Sequence, residues 1–181
     1  MIGREGVVGA SVGLGIPHFL CNAAVQIPGS ALAIPARPFQ DAVSRSAEMR
    51  ELAARCDAVL LVQAQQSAAC NAIHEVEQRM ARWLLETHDR ADGDELPLTQ
   101  TFLAEMLGVQ RTTVTLIAGK LQKTGAIRNF RGRIQVADRQ ILEAAACECY
   151  ERIRTCTKQL LAVEQHASGD GRAMAQQQSP V

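Results

Sequence analysis

The stretch from Thr99 to Arg139 holds seven basic side chains: Arg111, Lys120, Lys123, Arg128, Arg131, Arg133 and Arg139. Only Glu105 and Asp138 oppose them. The stretch therefore carries +5 and the remainder −5, in a chain with 19 basic and 19 acidic residues. A local basic surface on a neutral protein is a footprint of phosphate binding. Charge alone suits a solvated face equally well, so the spacing of the uncharged groups has to decide. Gln110, Arg111, Thr112, Thr115 and Gly119 fall on one side of a helical pattern, hydrogen-bonding or small and free of acidic charge. At a helix N-terminus entering a major groove, Arg111 would pair bidentately with a guanine. Thr112 and Thr115 would reach bases or phosphate oxygens.

These donors need a support that aims them outward. Thr99 is the expected N-cap of a helix beginning at Gln100, with Phe102, Leu103, Met106 and Leu107 facing inward. Gly108 ends it, since a sharp turn needs a residue tolerant of positive φ. Val109 plugs the turn. A second helix starts near Arg111 and turns Val114, Ile117, Ala118 and Leu121 inward at i, i+3, i+4 and i+7. Ala104 is small where two helices cross, Gly108 makes the bend, and β-branched Val114 points back into the crossing. That combination predicts a helix-turn-helix over about Gln100–Gln122. Gly125 then closes the second helix. Ala126–Phe130 and Arg133–Val136 read as strands joined by Arg131-Gly132, a basic β wing.

Further upstream, Glu48 to Cys70 lacks Gly and Pro. Met49, Leu52, Cys56, Val59, Gln63, Gln66 and Cys70 recur along it at spacings of four and three, with Leu60 beside them. This heptad-like stripe reads as a parallel dimer seam or as a helix packed on its own chain. Asp41 or Ser44 is the expected cap of an early turn. A helix is expected over Asn71–Thr87, with Val76, Met80, Trp83 and Leu84 on its apolar face, followed by a loop through His88–Asp94. Asp138 is the expected N-cap of one further helix reaching His166. Residues Met1–Arg37 offer short β-prone pieces, Ala24–Ile27 and Ala31–Ile34, around the Pro28-Gly29 turn signal. The last segment, 167–181, is too poor in apolar residues to order itself.

Composition narrows the class. Hydrophobic residues make up 47% and aromatics 3%, so Leu, Val, Ile and Ala must fill the core, which favours helices. There is no signal-peptide pattern and no apolar run of transmembrane length, so a cytoplasmic protein without membrane partners is expected. The six cysteines (Cys21, Cys56, Cys70, Cys147, Cys149 and Cys156) are then expected to be reduced and to act as small apolar fillers. Cys147 and Cys149 stand about 200° apart on a continuous helix and would not grip one ion. His74, His88 and His166 show no partners at ligand spacing, so no metal or cofactor is expected. No Gly-rich phosphate loop or Ser/His/Asp set is visible, and Glu75 and Glu77 read as surface partners of nearby arginines, so no enzyme is expected.

Leu98-Thr99-Gln100, Leu107-Gly108-Val109-Gln110-Arg111-Thr112-Thr113-Val114, Gly125-Ala126-Ile127 and Arg131-Gly132-Arg133-Ile134 together resemble the Crp/Fnr family, the cyclic-AMP receptor protein and its relatives. The resemblance extends upstream through Val76–Leu85 and loosely over Arg4–Leu142. It implies a mainly α protein with a small β component. Residues 1–43 would be the remnant of a β-roll sensory domain, 44–70 a dimerisation helix and 71–142 a winged helix-turn-helix. A C-terminal helix at 143–166 and a disordered tail at 167–181 would complete the chain. The implied partners are double-stranded DNA, a second copy of the chain and RNA polymerase. The implied DNA contacts are Thr99, Gln100, Gln110, Arg111, Thr112, Thr113, Thr115, Lys120, Arg131 and Arg133, and the implied seam is Met49, Leu52, Cys56, Val59, Leu60 and Gln63. An alternative role is a winged-helix protein-interaction module, or a modulator that heterodimerises with full-length family members. Arg4-Glu5-Gly6 reverses the family's Gly-Glu pair, and Asn22-Ala23-Ala24 stands where its phosphate-binding arginine element would lie, so cyclic-nucleotide binding is not implied. Only Cys21 is available where oxygen-sensing members place several cysteines. Thr112 replaces the Glu of many members and Leu116 a second Arg, so operator preference does not carry over.

Overall fold

Apolar side chains from Met80 to Tyr150 converge on one core, and the elements follow from how each reaches it. The computed structural model describes residues 1–16 and 22–162. Among these, α1 spans Ala10–Gly13, α2 Ala36–Arg45, α3 Ala47–Ile73 and α4 Val76–His88. Strand β1 is Glu95–Leu96, followed by α5 at Gln100–Leu107, α6 at Arg111–Lys123, β2 at Ile127–Phe130 and β3 at Arg133–Val136. Helices α7 (Arg139–Ala145) and α8 (Cys149–Leu161) complete them. The protein is mainly helical with one small antiparallel sheet of order β1-β3-β2.

Helix α4 is the hub. Met80, Ala81, Leu84 and Leu85 are fully buried, and Trp83 meets Phe102 edge-on with ring centroids 6.1 Å apart. Leu103 and Leu107 from α5 join Val114, Ile117, Ala118 and Leu121 from α6. The sheet adds Leu96, Ile127, Ile134 and Val136. The β2–β3 register pairs Ile127 with Val136 and Phe130 with Arg133, so Ile127, Ile134 and Val136 face the core and Arg128, Phe130 and Arg133 face out.

Local chemistry fixes the ends as the sequence leads one to expect. Thr99 Oγ1 accepts from Phe102 N at 3.1 Å, capping α5. Asp138 Oδ1 accepts from Gln140 N and Ile141 N, capping α7. Gly108 takes φ 65, a left-handed conformation, between α5 and α6. A Cβ there would meet nothing within 4 Å, so substitution strains only the backbone. Gly108→Ala is therefore expected to cost about 1–2 kcal/mol. Gly119→Ala, in open space within α6, is expected to raise stability by roughly 0.5–1 kcal/mol. Urea titration of the two variants should move the midpoint in opposite directions.

Several expectations are corrected. Ala24–Ile27 and Ala31–Ile34 are not strands, and no strand occurs among the described residues before Glu95, so the described part of 1–43 shows no β-roll. Strands need partners, and here Val25 and Leu32 lie exposed with none. Asp41 and Ser44 sit inside α2, and Ser46 caps the long helix by accepting from Met49 N. That helix runs to Ile73, taking the first residues expected in the next one, and α4 begins only at Val76 behind a Glu75/Gln78 capping box. The helix expected from Asp138 to His166 is two helices: Ala146 is extended at ψ 155, and α8 restarts at Cys149. No Gly or Pro marks this break; burial of Cys147 and Cys149 against α3 accompanies it. Met106, expected inside, is 39% exposed. The Val163–His166 end of the expected helix, the 167–181 tail and Cys21 lie outside the described residues.

Candidate nucleic-acid interface

Helix α6 presents its first turn to solvent. Gln110 stands at its N-cap in an extended conformation with no side-chain cap hydrogen bond. Thr113 N donates to Gln110 O, which leaves the Arg111 and Thr112 amides without a capping side chain, and the helix dipole favours an anion there. Arg111, Thr112 and Thr115 are exposed and Thr113 is half-buried, while Val114, Ile117, Ala118 and Leu121 anchor the opposite face. Leu116 lies on the exposed side at 65% exposure. An apolar side chain so placed would suit a thymine methyl group.

The supporting helix positions this face. Val109 N donates to Ala104 O at 3.0 Å, folding the turn back on α5. Ala104 is buried at the crossing, as its size requires. Arg79 of α4 donates to Leu107 O, tying the end of α5 to the hub. Gln100 and Thr115, both expected as DNA contacts, are brought together, with Thr115 Oγ1 donating to Gln100 Oε1 at 2.7 Å. Thr99 is engaged in its cap. In the wing, Gly132 takes φ 78, which lets Arg131-Gly132 close the hairpin in two residues.

The basic residues divide into two groups. Lys120 Nζ pairs with Glu77 Oε2 at 3.1 Å, and Arg133 lies 3.5 Å from Glu95 and 4.9 Å from the Phe130 ring. Arg139 is half-buried and engaged within the chain, donating to Asp89 and Glu143 and contacting His88 and the Tyr150 hydroxyl. It locks the end of α4 to α7 and α8. Burial, reinforced by the neighbouring Asp89 carboxylate, pushes the Tyr150 phenol up to about 12. Arg111, Lys123, Arg128 and Arg131 enter no ion pair among the described residues. Lys123 and Arg128 were legible as charge but not as site residues. Their position became evident only once β2 was seen beside the end of α6, where Asn129 N donates to Gln122 Oε1.

The seam residues are split. Cys56, Val59 and Gln63 are buried within the chain, Cys56 in a cluster with Ala10 and Ala53 that Val7 and Leu161 cover. Leu60 is half-buried, whereas Met49 and Leu52 remain 38% and 48% exposed.

Two crossed helices, a glycine bend and a basic hairpin define a winged helix-turn-helix. Residues 78–145 match the family model of the Crp-like helix-turn-helix domain. The chain is similar to TTHA1359, a CRP/FNR-family transcriptional regulator from Thermus thermophilus. Identity is 30%, covering 56% of this chain and 55% of that one, with a TM-score of 0.51. It shares its fold with FixK2 from Bradyrhizobium japonicum at 19% identity, covering 63% and 60% of the two chains, with a TM-score of 0.58. It also shares it with TTHB099, a CRP-family regulator from Thermus thermophilus, at 23% identity, covering 57% and 56%, with a TM-score of 0.50. The chain thus spans little more than half the length of these relatives. No curated protein matches it. The resemblance to the Crp/Fnr family holds. No helix among the described residues is long and apolar enough to cross a membrane.

Proposed function

We propose that the chain is a sequence-specific, duplex-DNA-binding transcription regulator that acts as a homodimer. The observation that carries this reading is the open N-terminal turn of α6, bare of acidic side chains, with Arg111 on it and Arg128 and Arg131 on the hairpin beside the other end of the helix, all three without ion-pair partners among the described residues. In the major groove Arg111, Thr112 and Leu116 read base edges. Lys123, Arg128 and Arg131 contact phosphates, which set register but carry no sequence information. Thr113 supports the turn, and Lys120 reaches phosphate by releasing Glu77. The dimer seam uses Met49 and Leu52 on α3, narrower than the heptad stripe suggests. Two copies of α6 then meet successive major grooves about 34 Å apart, so the operator is a near-palindrome. Transcriptional control is exerted from that operator in the cytoplasm, with RNA polymerase as the further partner.

Arg111→Ala tests the reading. Loss of one bidentate base contact is expected to weaken binding to a selected operator by about 1–3 kcal/mol and to relax preference at one base pair of each half-site. Operator selection followed by anisotropy titration measures both. Unchanged affinity in a folded variant, whose dimer is verified by sedimentation, overturns the DNA-reading role of α6.

A further inference from the structure

Cys70, His74, Cys147 and Cys149 come together where α3 ends and α8 begins, far apart in sequence and outside the face just described. One ligand atom from each lies within 4.8 Å of all the others. Cys70 Sγ is 3.5 Å from Cys147 Sγ, and Cys149 Sγ is 3.5 Å from His74 Nδ1. Tetrahedral zinc, with Zn–S about 2.3 Å and Zn–N about 2.0–2.1 Å, sets such neighbours roughly 3.5–3.8 Å apart. We infer that these four residues form a structural zinc site of Cys₃His type.

Each part of the site has its reason. Cys70 lies on the last turn of α3 and His74 is its extended C-cap, held beside it by a hydrogen bond from His74 N to Cys70 O at 3.0 Å. The break at Ala146 turns Cys147 and Cys149 the same way, which a continuous helix would not do. The three cysteines are at most 4% exposed. His74 Nε2 lies 3.2 Å from Glu148 Oε2, the carboxylate that orients an imidazole whose other nitrogen binds metal. Gln66 Nε2 donates to Cys149 Sγ at 3.0 Å. Apolar filling would not call for a histidine nitrogen and an amide aimed at these sulfurs. An iron–sulfur cluster distributes its thiolates over separate irons and needs a wider spread than this. When zinc binds, the three thiols give up their protons to solvent, leaving one net negative charge. The buried Arg82 guanidinium interacts electrostatically with Cys70 and Cys147, although it is itself paired with Glu86 at 2.6 Å. With four protein ligands the site is closed, and it ties the α3–α4 junction to the α7–α8 junction.

The test uses the reduced, chelator-treated full chain titrated with cobalt(II). One ion per chain is expected, with the visible bands of tetrahedral cobalt and thiolate charge transfer in the near ultraviolet, all displaced by one equivalent of zinc. Cys147→Ser with Cys149→Ser should abolish both bands, and Cys156→Ser should keep them. Glu148→Gln should weaken zinc binding by about 10–100-fold without changing the stoichiometry. A wild-type chain that takes up no cobalt, that gives an octahedral spectrum or that forms a Cys70–Cys147 disulfide instead overturns the site however the variants fold. None of these readouts involves DNA, so the outcome is independent of the proposed function.

Discussion

Raising monovalent salt from 50 to 200 mM should weaken operator binding by about 10³–10⁴-fold, the range expected for roughly six to eight phosphate contacts. The number of contacts comes from the surface. Arg111, Lys123, Arg128 and Arg131 have no ion-pair partner among the described residues, and three or four of them per protomer give about six to eight contacts per dimer. Lys120 and Arg133 already have carboxylate partners, so they release fewer counterions per contact. Each neutralised phosphate contributes about −0.9 to the slope of log K against log salt. A combined Lys123→Gln, Arg128→Gln, Arg131→Gln variant should flatten the slope while preserving the rank order of operator sequences. Anisotropy titrations at four salt concentrations provide the measurement. A wild-type slope near zero would remove phosphate contacts from the account.

Truncating Leu121 to alanine is expected to destabilise the domain by about 2–5 kcal/mol. Small domains hold only about 5–15 kcal/mol in total, so this is a large fraction. Leu121 is fully buried among α6, α5 and the sheet. Its carbonyl also accepts from Ala126 N and Thr124 Oγ1, so the chain leaves α6 for β2 directly above it. A cavity there loosens both the helix and the wing. Leu116→Ala is the contrast: on the same helix but exposed, it should shift stability by less than about 0.5 kcal/mol. Its effect should fall on operator preference instead. Urea unfolding monitored by Trp83 fluorescence separates the two, and equal midpoints would contradict the assigned faces of α6.

The helix-turn-helix was legible because every signal in it is local. A cap, a bend that needs positive φ and a 3.6-residue stripe each act within one turn of chain, and Thr99, Gly108 and Val114 stand as their chemistry requires. The wing was legible for the same reason, through Gly132 and the alternation of Ile134 and Val136. What escaped depends on distant partners. Residues 24–34 have β-branched and apolar side chains but no neighbouring strand. Nothing near Ala146 breaks a helix by itself; the interruption belongs with Cys147 packing on Cys70, 77 residues away. The stripe on α3 suits either a dimer seam or packing on its own chain, and only folding divides it: α1 and α8 cover Cys56, while Met49 and Leu52 stay exposed. Lys123, Arg128 and Arg139 look alike in sequence, and only folding separates two surface cations from an internal clasp.

Helix α3 is about 40 Å long at 1.5 Å per residue and joins the winged domain through only two non-helical residues, His74 and Glu75. A rod of that length at so short a joint would act as a lever, but α8 packs against it near Cys56 and Cys147 packs on Cys70 beside the joint. In the proposed dimer this brace fixes the separation and helical phase of the two reading heads together. Its stiffness then limits how many base pairs may lie between half-sites.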